Sequence, residues 1–321
     1  MLDQPASQPP TLDPVPQFRP YDPGPFRMAM ALTAVAEPDW LELAEDYPTQ
    51  MAERHRLLHA TPGAVLACLP EAEAAARELL DVLVAHLCTH HAAWFERSGR
   101  VLHNRLLGER IDLDCGMDAL AIAGRLVQED FCIMQPHDNG HHLTAAVLCF
   151  PTRWSLAEKL GRVLIDVHEK VPFYADRLAN PVERFFRSLK PGRLAQRLNW
   201  SVIDDPALFQ LNGKGRDGHD AAITPDNALA QLFLRVERQT FRRLPLSGAV
   251  VFGIRIHVTP LDRVAGDPGE AARLSAAIQA LPADMVHYKS TGRFSAALLE
   301  ALGRHAQESA SRLPAPDAQN D

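Results

Sequence analysis

Two spacings of apolar residues divide this chain. Between Glu71 and His91, Leu79, Leu83 and Leu87 fall at i, i+4 and i+8 with Leu80 and Val84 beside them, which predicts an amphipathic helix. Ala175–Leu189 repeats the pattern, with Leu178, Val182, Phe185, Phe186 and Leu189 on one side and Pro191-Gly192 as its stop. Shorter runs rich in Cys, Ile, Val, Leu and Phe predict strands at Phe131–Gln135 and Leu143–Phe150. The link between them holds Asp138-Asn139-Gly140, where Asn and Gly tolerate the positive φ of a hairpin turn. Leu232–Thr240 and Ala249–Thr259 predict a second hairpin, joined by Leu244–Gly248, and Arg197–Ile203 a short strand. Phe26–Leu32 reads as a first strand or as a segment laid on the core, and Val101–Leu113 as extended. Asp39 is placed to cap a short helix that Tyr47-Pro48 breaks, with another helix at Thr49–Leu58. Further helices are expected at Ala119–Val127 and, interrupted near Pro282, at Gly269–Leu302. Ser155-Leu-Ala-Glu158 has the form of a capping box and Gly161 that of a left-handed stop, so a short helix is expected just before His168. Pro172 prevents any helix from running on past that histidine.

Antiparallel strands with helices around them make an α+β fold. Residues 1–25, rich in Pro, Gln, Asp and Ser, are too polar to offset their ordering entropy and are expected as a disordered or loosely draped arm. Residues 26–305 are expected as one domain and 306–321 as a frayed tail. The Gly- and Asp-rich stretch 204–227 reads as a long surface loop.

Composition narrows the functional classes. Apolar residues are 46 % of the chain, enough for a sizeable core. The net charge of -7, with both signs interleaved, gives no footprint for nucleic acid or a membrane surface. No secretory signal opens the sequence and no apolar run approaches the ~20 residues of a membrane span. Five cysteines without a CxxC pair fit neither a disulfide framework nor an iron–sulfur or structural zinc set, so a reduced, soluble, cytoplasmic protein is expected.

Several local patterns are set aside. Gly213–Gly218 matches GxGxxG, but no strand precedes it and no apolar helix follows, so it reads as a flexible loop. His86 and His90 lie at i, i+4, a spacing that binds metal, but no third ligand stands at a diagnostic distance and the polar end of an amphipathic helix explains them. His137, His141 and His142 read as a solvated hairpin tip. Arg255 is different, because it interrupts Val250–Ile256 and a charge in so apolar a run needs a partner.

The stretches QEDF, CFPTRWSLAEKLGR, VHEKVP and Tyr174, together with WLELAEDYP (Trp40–Pro48), RLNWSVIDDP (Arg197–Pro206), LFLRVERQTFRRLP (Leu232–Pro245) and the run holding Ile254-Arg255, follow one another in a single order from about Pro25 to Leu302. In that order they resemble the haem-dependent oxidative N-demethylase family. The resemblance implies a PAS-like fold in which haem b is held against a curved antiparallel sheet. It also implies that His168, by itself one of 14 histidines at an ordinary loop, is the axial iron ligand. A carbonyl or carboxylate on the second ring nitrogen would fix its tautomer, and Asp166 and Glu169 are near enough in sequence to serve. Arg197, Arg235, Arg238 and Arg255 become candidates for the haem propionates; the alternative for each is a salt-bridged strand face. Alternation puts Arg235 and Glu237 on one face of their strand and Arg238 on the other. Glu129, Asp130 and Glu237 are candidates for the carboxylate that a cationic amine requires, or charges at a helix-to-strand junction that face water. Tyr174 and Trp200 either wall the haem pocket or donate to bound oxygen, or are simply core.

The activity implied is monooxygenation of a small secondary amine, dimethylamine first by family, to formaldehyde and a smaller amine. O₂ activation needs electrons, and the chain carries neither a nicotinamide nor an iron–sulfur motif. A partner reductase subunit with flavin or an iron–sulfur centre is therefore expected, in a hetero-oligomer. The alternatives are a haem-based gas or redox sensor, against which the absence of heptads counts, and an assembly protein that has lost haem. Pro25–Met30 and the 204–227 loop depart from the family pattern, so the amine preferred here is not set by the resemblance.

Overall fold

Phe233–Arg243 and Val250–Pro260 are the longest strands of the protein and pair along their full length. Their turn closes at Gly248, whose φ of +69° lies in the left-handed region. In the computed structural model, which describes residues 11–310, this hairpin is the centre of a seven-stranded antiparallel sheet. In chain order the strands are β1 (Thr33–Val35), β2 (Leu66–Cys68), β3 (Phe95–Ser98), β4 (Val101–Asn104), β5 (Glu109–Asp112), β6 (Asp130–His137), β7 (Gly140–Val147), β8 (Leu194–Ile203), β9 (Phe233–Arg243) and β10 (Val250–Pro260). The large sheet runs β1-β8-β9-β10-β6-β7-β2, and β3-β4-β5 form a separate small one. Strands with helices around them are the α+β architecture expected.

Both hairpins form where the sequence placed them. The first, β6–β7, turns at Gly140 and carries a bulge between Ile133 and Met134. Its second strand ends at Val147, because the Cys149 and Phe150 amides leave the ladder to donate to the buried Asp130 carboxylate at 2.6 and 2.8 Å. The helix expected at Glu71–His91 spans Glu73–His90 and buries Leu79, Leu80, Leu83, Val84 and Leu87.

Other expectations change. The Ser155–Gly161 stretch is a turn, and the short helix next to the histidine is Leu164–Val167, with His168 as its C-cap. Ser155 makes no capping contact; the Gly161 amide instead donates to Leu143 at 2.7 Å, tying the turn to β7. Tyr47-Pro48 opens a helix (Tyr47–Ala60) rather than breaking one, because a proline's missing N–H costs nothing in a first turn. Phe26–Leu32 is no strand: pairing is confined to Thr33–Val35, and the preceding residues lie across the face of the sheet. From residue 11 the Pro-rich arm follows the surface and is anchored by Tyr21, 1 % exposed, whose hydroxyl donates to Glu270 at 2.6 Å. Residues 1–10 and the tail from 311 lie outside the described residues.

One face of the sheet is sealed by a polar layer. Arg238 and Arg255 stand directly opposite each other on β9 and β10 and so share a face. Arg255 pairs with both Asp46 oxygens at 2.8 and 3.0 Å and with Gln50 at 2.6 Å. Arg238 reaches Glu42 and the Trp40 carbonyl, and His257 meets Glu42 at 2.9 Å. The WLELAEDYP stretch is thereby bolted under the sheet. Arg54 and Asp130, 2.6 Å apart and fully buried, extend the layer to β6.

Candidate functional site

The opposite face is where the cavity lies. Register alone defines its floor: Glu237 opposes Ile256 and Gln239 opposes Ile254, so Glu237, Gln239 and Phe241 point away from Arg238 and Arg255. Arg197 and Asn199 on β8 oppose Gln239 and Glu237 and join the same face. Cys132, Met134, Phe252 and Ile254 make the apolar part of that floor. The walls come from Leu164–Leu178, the arm at Phe26–Ala31 and the residues around Tyr288. The cavity has a volume of about 370 Å³, within the roughly 300–1,000 Å³ of small-molecule and cofactor pockets.

His168 enters this cavity from the end of the Leu164–Val167 helix. Its Nδ1–H donates a hydrogen bond to the Leu164 carbonyl at 2.9 Å, so Nε2 carries the free lone pair. Neither Asp166 nor Glu169 serves that role, since Glu169 is taken by Arg162 at 2.7 and 3.1 Å. Burial pushes the imidazole pKa down to about 4, against the pull of the Leu164 carbonyl and with the positive Lys159, Lys214 and Arg197 adding to it. The ring is therefore neutral at physiological pH. Tyr174 stacks on it, centroids 4.2 Å apart and planes 10° from parallel, and fixes its orientation. The Tyr174 hydroxyl is buried without a partner, and burial raises its pKa.

The cavity holds four deeply placed cations, Lys159, Arg197, Lys214 and Lys289. None is ion-paired among the described residues. Arg197 makes no hydrogen bond there, and its Nε is a buried orphan. Lys214 donates to the Tyr288 hydroxyl at 2.8 Å, Lys289 to the Trp200 carbonyl and Lys159 to the Val167 carbonyl. Burial lowers the pKa of all three lysines to about 8. Half-buried cations that outnumber the carboxylates near them and make no salt bridge are costly, and such a set fits a ligand that brings anionic groups. Against them stands one deeply placed carboxylate, Glu237. Burial pushes its pKa up, but hydrogen bonds from Thr152 and Asn199 and the Lys214 charge bring it net below the ordinary value, so it stays ionised.

Of the residues singled out from sequence, His168, Tyr174, Arg197, Trp200 and Glu237 are brought together here. Arg235, Arg238, Arg255, Glu129 and Asp130 are not; Arg238 is held by Trp40 and Glu42 and Asp130 by Arg54, both in the polar layer on the other face. Arg235 shares the face of Glu237 but lies beyond the cavity, spending its guanidinium on Thr152 and on the Phe150, Ala207 and Leu208 carbonyls. Arg255 found the partner its apolar setting demanded, but that partner is Asp46 on the other face. Glu129 is buried beneath the sheet, accepts the Glu42 amide at 3.0 Å and has its pKa raised by burial. A strand's alternation says which residues share a face; it does not say how far along that face a cavity extends.

The lysines were missed. Lys214 sits in the GxGxxG loop that reads as flexible, yet Gly213, Gly215 and Gly218 adopt φ of +110°, +62° and +89° and fold the loop inward. A lysine flanked by two glycines is a signal that could have found it. Lys159 lies within the CFPTRWSLAEKLGR stretch, and Lys289 has no local signal at all. Two segments that depart from the family pattern, Pro25–Met30 and the 204–227 loop, both contribute lining residues.

A neutral imidazole with Nε2 free, unpaired cations and an apolar floor fit haem: an axial nitrogen, anchors for two propionates and a surface for the macrocycle. Comparison with known families agrees. A family described as haem-dependent oxidative N-demethylase, alpha subunit-like, matches residues 31–299.

Proposed function

Because the chain belongs to the haem-dependent oxidative N-demethylase, alpha subunit-like family, we propose that it is the haem-binding subunit of a monooxygenase that demethylates a small secondary amine such as dimethylamine. The observation that carries this reading is His168, held by Leu164 and Tyr174 with one nitrogen free, in a cavity whose half-buried cations outnumber its one carboxylate. Bound haem b would supply the O₂ chemistry that oxidises a methyl C–H next to nitrogen. The chain's own residues do the rest. His168 would ligate iron through Nε2. Arg197, with Lys214 or Lys289, would receive the propionates, and the pairing would remove the penalty these cations carry. Glu237, kept ionised, would hold the ammonium form of the amine. The Tyr174 hydroxyl, lacking a partner, is placed to donate a hydrogen bond in the same cavity. The arm at Phe26–Ala31 would exclude water from the mouth.

The family description as an alpha subunit implies further subunits, and electrons would come from a reductase subunit with flavin or an iron–sulfur centre. The PAS-like character implied by the resemblance is part of the same proposal, supported by the antiparallel sheet that floors the cavity. The test is a titration of the purified chain with haemin. A Soret band should saturate at one equivalent, and His168→Ala should shift or abolish it. Formaldehyde should appear only with an amine and an electron donor both present. A chain that takes up no haemin refutes the proposal; haem uptake without amine-dependent formaldehyde leaves a sensor instead of an enzyme.

A further inference from the structure

At the far end of the Glu73–His90 helix, His86 is 4 % exposed, and neither ring nitrogen has a hydrogen-bond partner. Two unpartnered nitrogens on a buried imidazole are an unusual expense, and the surroundings suggest what meets them. His90 lies one turn further on, ring centroids 4.7 Å apart. Glu37 arrives from the 3-10 turn Glu37–Trp40, with a carboxylate oxygen 3.5 Å from His86 Nδ1. One ligating atom from each of Glu37, His86 and His90 lies within 4.8 Å of the other two. We propose that Glu37, His86 and His90 form a second metal centre, distinct from the haem cavity, that binds a zinc-class divalent ion with water completing the tetrahedron.

The chemistry suits such an ion. Two imidazoles and one carboxylate around an open fourth position are a recurrent zinc set. Ligand atoms around zinc at ~2.0–2.1 Å stand roughly 3.4 Å apart, so small side-chain rotations would close this set. His90 sits in the last turn of its helix, where the carbonyl ends of the helix dipole favour a cation, and His86 one turn before it. Arg242 donates at 2.6 Å to Glu37 Oε1, the same oxygen that faces His86 Nδ1, and so steadies the carboxylate beside the histidines as an outer partner does for a ligating group. Trp40 packs edge-on against His86 at 5.1 Å and shields that side. The consequence is a staple between the start of the sheet-sealing segment and the longest amphipathic helix. The sequence hid the set because Glu37 is remote from the i, i+4 histidine pair.

The test uses the full-length, haem-loaded chain free of any histidine tag, dialysed against ZnCl₂ and then against buffer, with zinc and iron counted together. One zinc per chain should remain, and the zinc-edge X-ray absorption spectrum should show two imidazole nitrogens. His90→Ala, at an exposed position that leaves the fold intact, and Glu37→Gln should each weaken zinc binding by at least tenfold and abolish the rise in Tm that zinc produces in the parent, with iron content unchanged. His91→Ala, at the neighbouring imidazole outside the set, should keep the ion. The proposal is overturned if the parent retains no zinc, if retention is indifferent to His90→Ala and Glu37→Gln, or if it is lost with His91→Ala.

Discussion

Arg197→Met is the most informative single substitution, because it should act with opposite sign on the empty and the haem-loaded protein. Arg197 is largely withdrawn from water, and no carboxylate pairs with it among the described residues. Its Nε has no acceptor. Met preserves most of the stem's volume while removing the charge. In haem-free protein the change relieves a desolvated cation that the Glu237 charge offsets only in part, a gain on the order of 1 kcal/mol after allowing for partial exposure. For a chain of this size that is a rise in Tm of roughly 2 °C. In the loaded protein a charge-assisted hydrogen bond to a propionate disappears, about 1.5–3 kcal/mol, or roughly a 10- to 150-fold increase in the haemin Kd. Scanning fluorimetry of the apo-protein and a Soret titration read the two limbs separately. If Arg197→Met lowers the apo Tm and leaves the haemin affinity untouched, the guanidinium is a structural group, and the assignment of the propionate anchors fails.

The other face of the sheet predicts the reverse pattern. Arg255→Met should destabilise by about 2–4 kcal/mol, reduced from the ~3–5 kcal/mol of breaking a fully buried pair because Asp46 keeps 23 % side-chain exposure; the folded fraction should bind haemin with unchanged affinity, as denaturation followed by titration will show. The three cavity lysines predict a pH dependence. Their folded pKa of about 8 lies below the ordinary 10.5, so between those values the unfolded chain binds more protons, and apo stability should rise as pH increases from 8 to 9.5. Haem loading should flatten that rise, and a flat profile in the apo-protein would show that the lysines are not desolvated. On the acid side, His86 and His168, each pushed down to about 4 from 6.5, should cost the apo-protein stability as pH falls from 6.5 towards 4, which urea midpoints measured across that range will reveal.

The two hairpins and the Glu73–His90 helix were legible in the residues, because apolar periodicity reports which side of an element meets the core and needs only neighbours in sequence. The same holds for Arg255: a charge inside Val250–Ile256 announces a partner, though not which one. His168 became conspicuous only through the collinear stretches that surround it.

Long-range pairing decided the rest. That Asp46, not a propionate, meets Arg255 depends on a segment two hundred residues earlier tucking beneath β10. That Lys159, Lys214 and Lys289 share one cavity depends on three loops converging over the sheet. That Glu37 stands beside His86 depends on the entry strand's position at the sheet edge. Local spacing encodes faces, since a side chain's direction is set by the backbone it grows from. Sites are encoded by which faces meet, and that is a property of the whole packed chain, where burial and charge pairing are settled together.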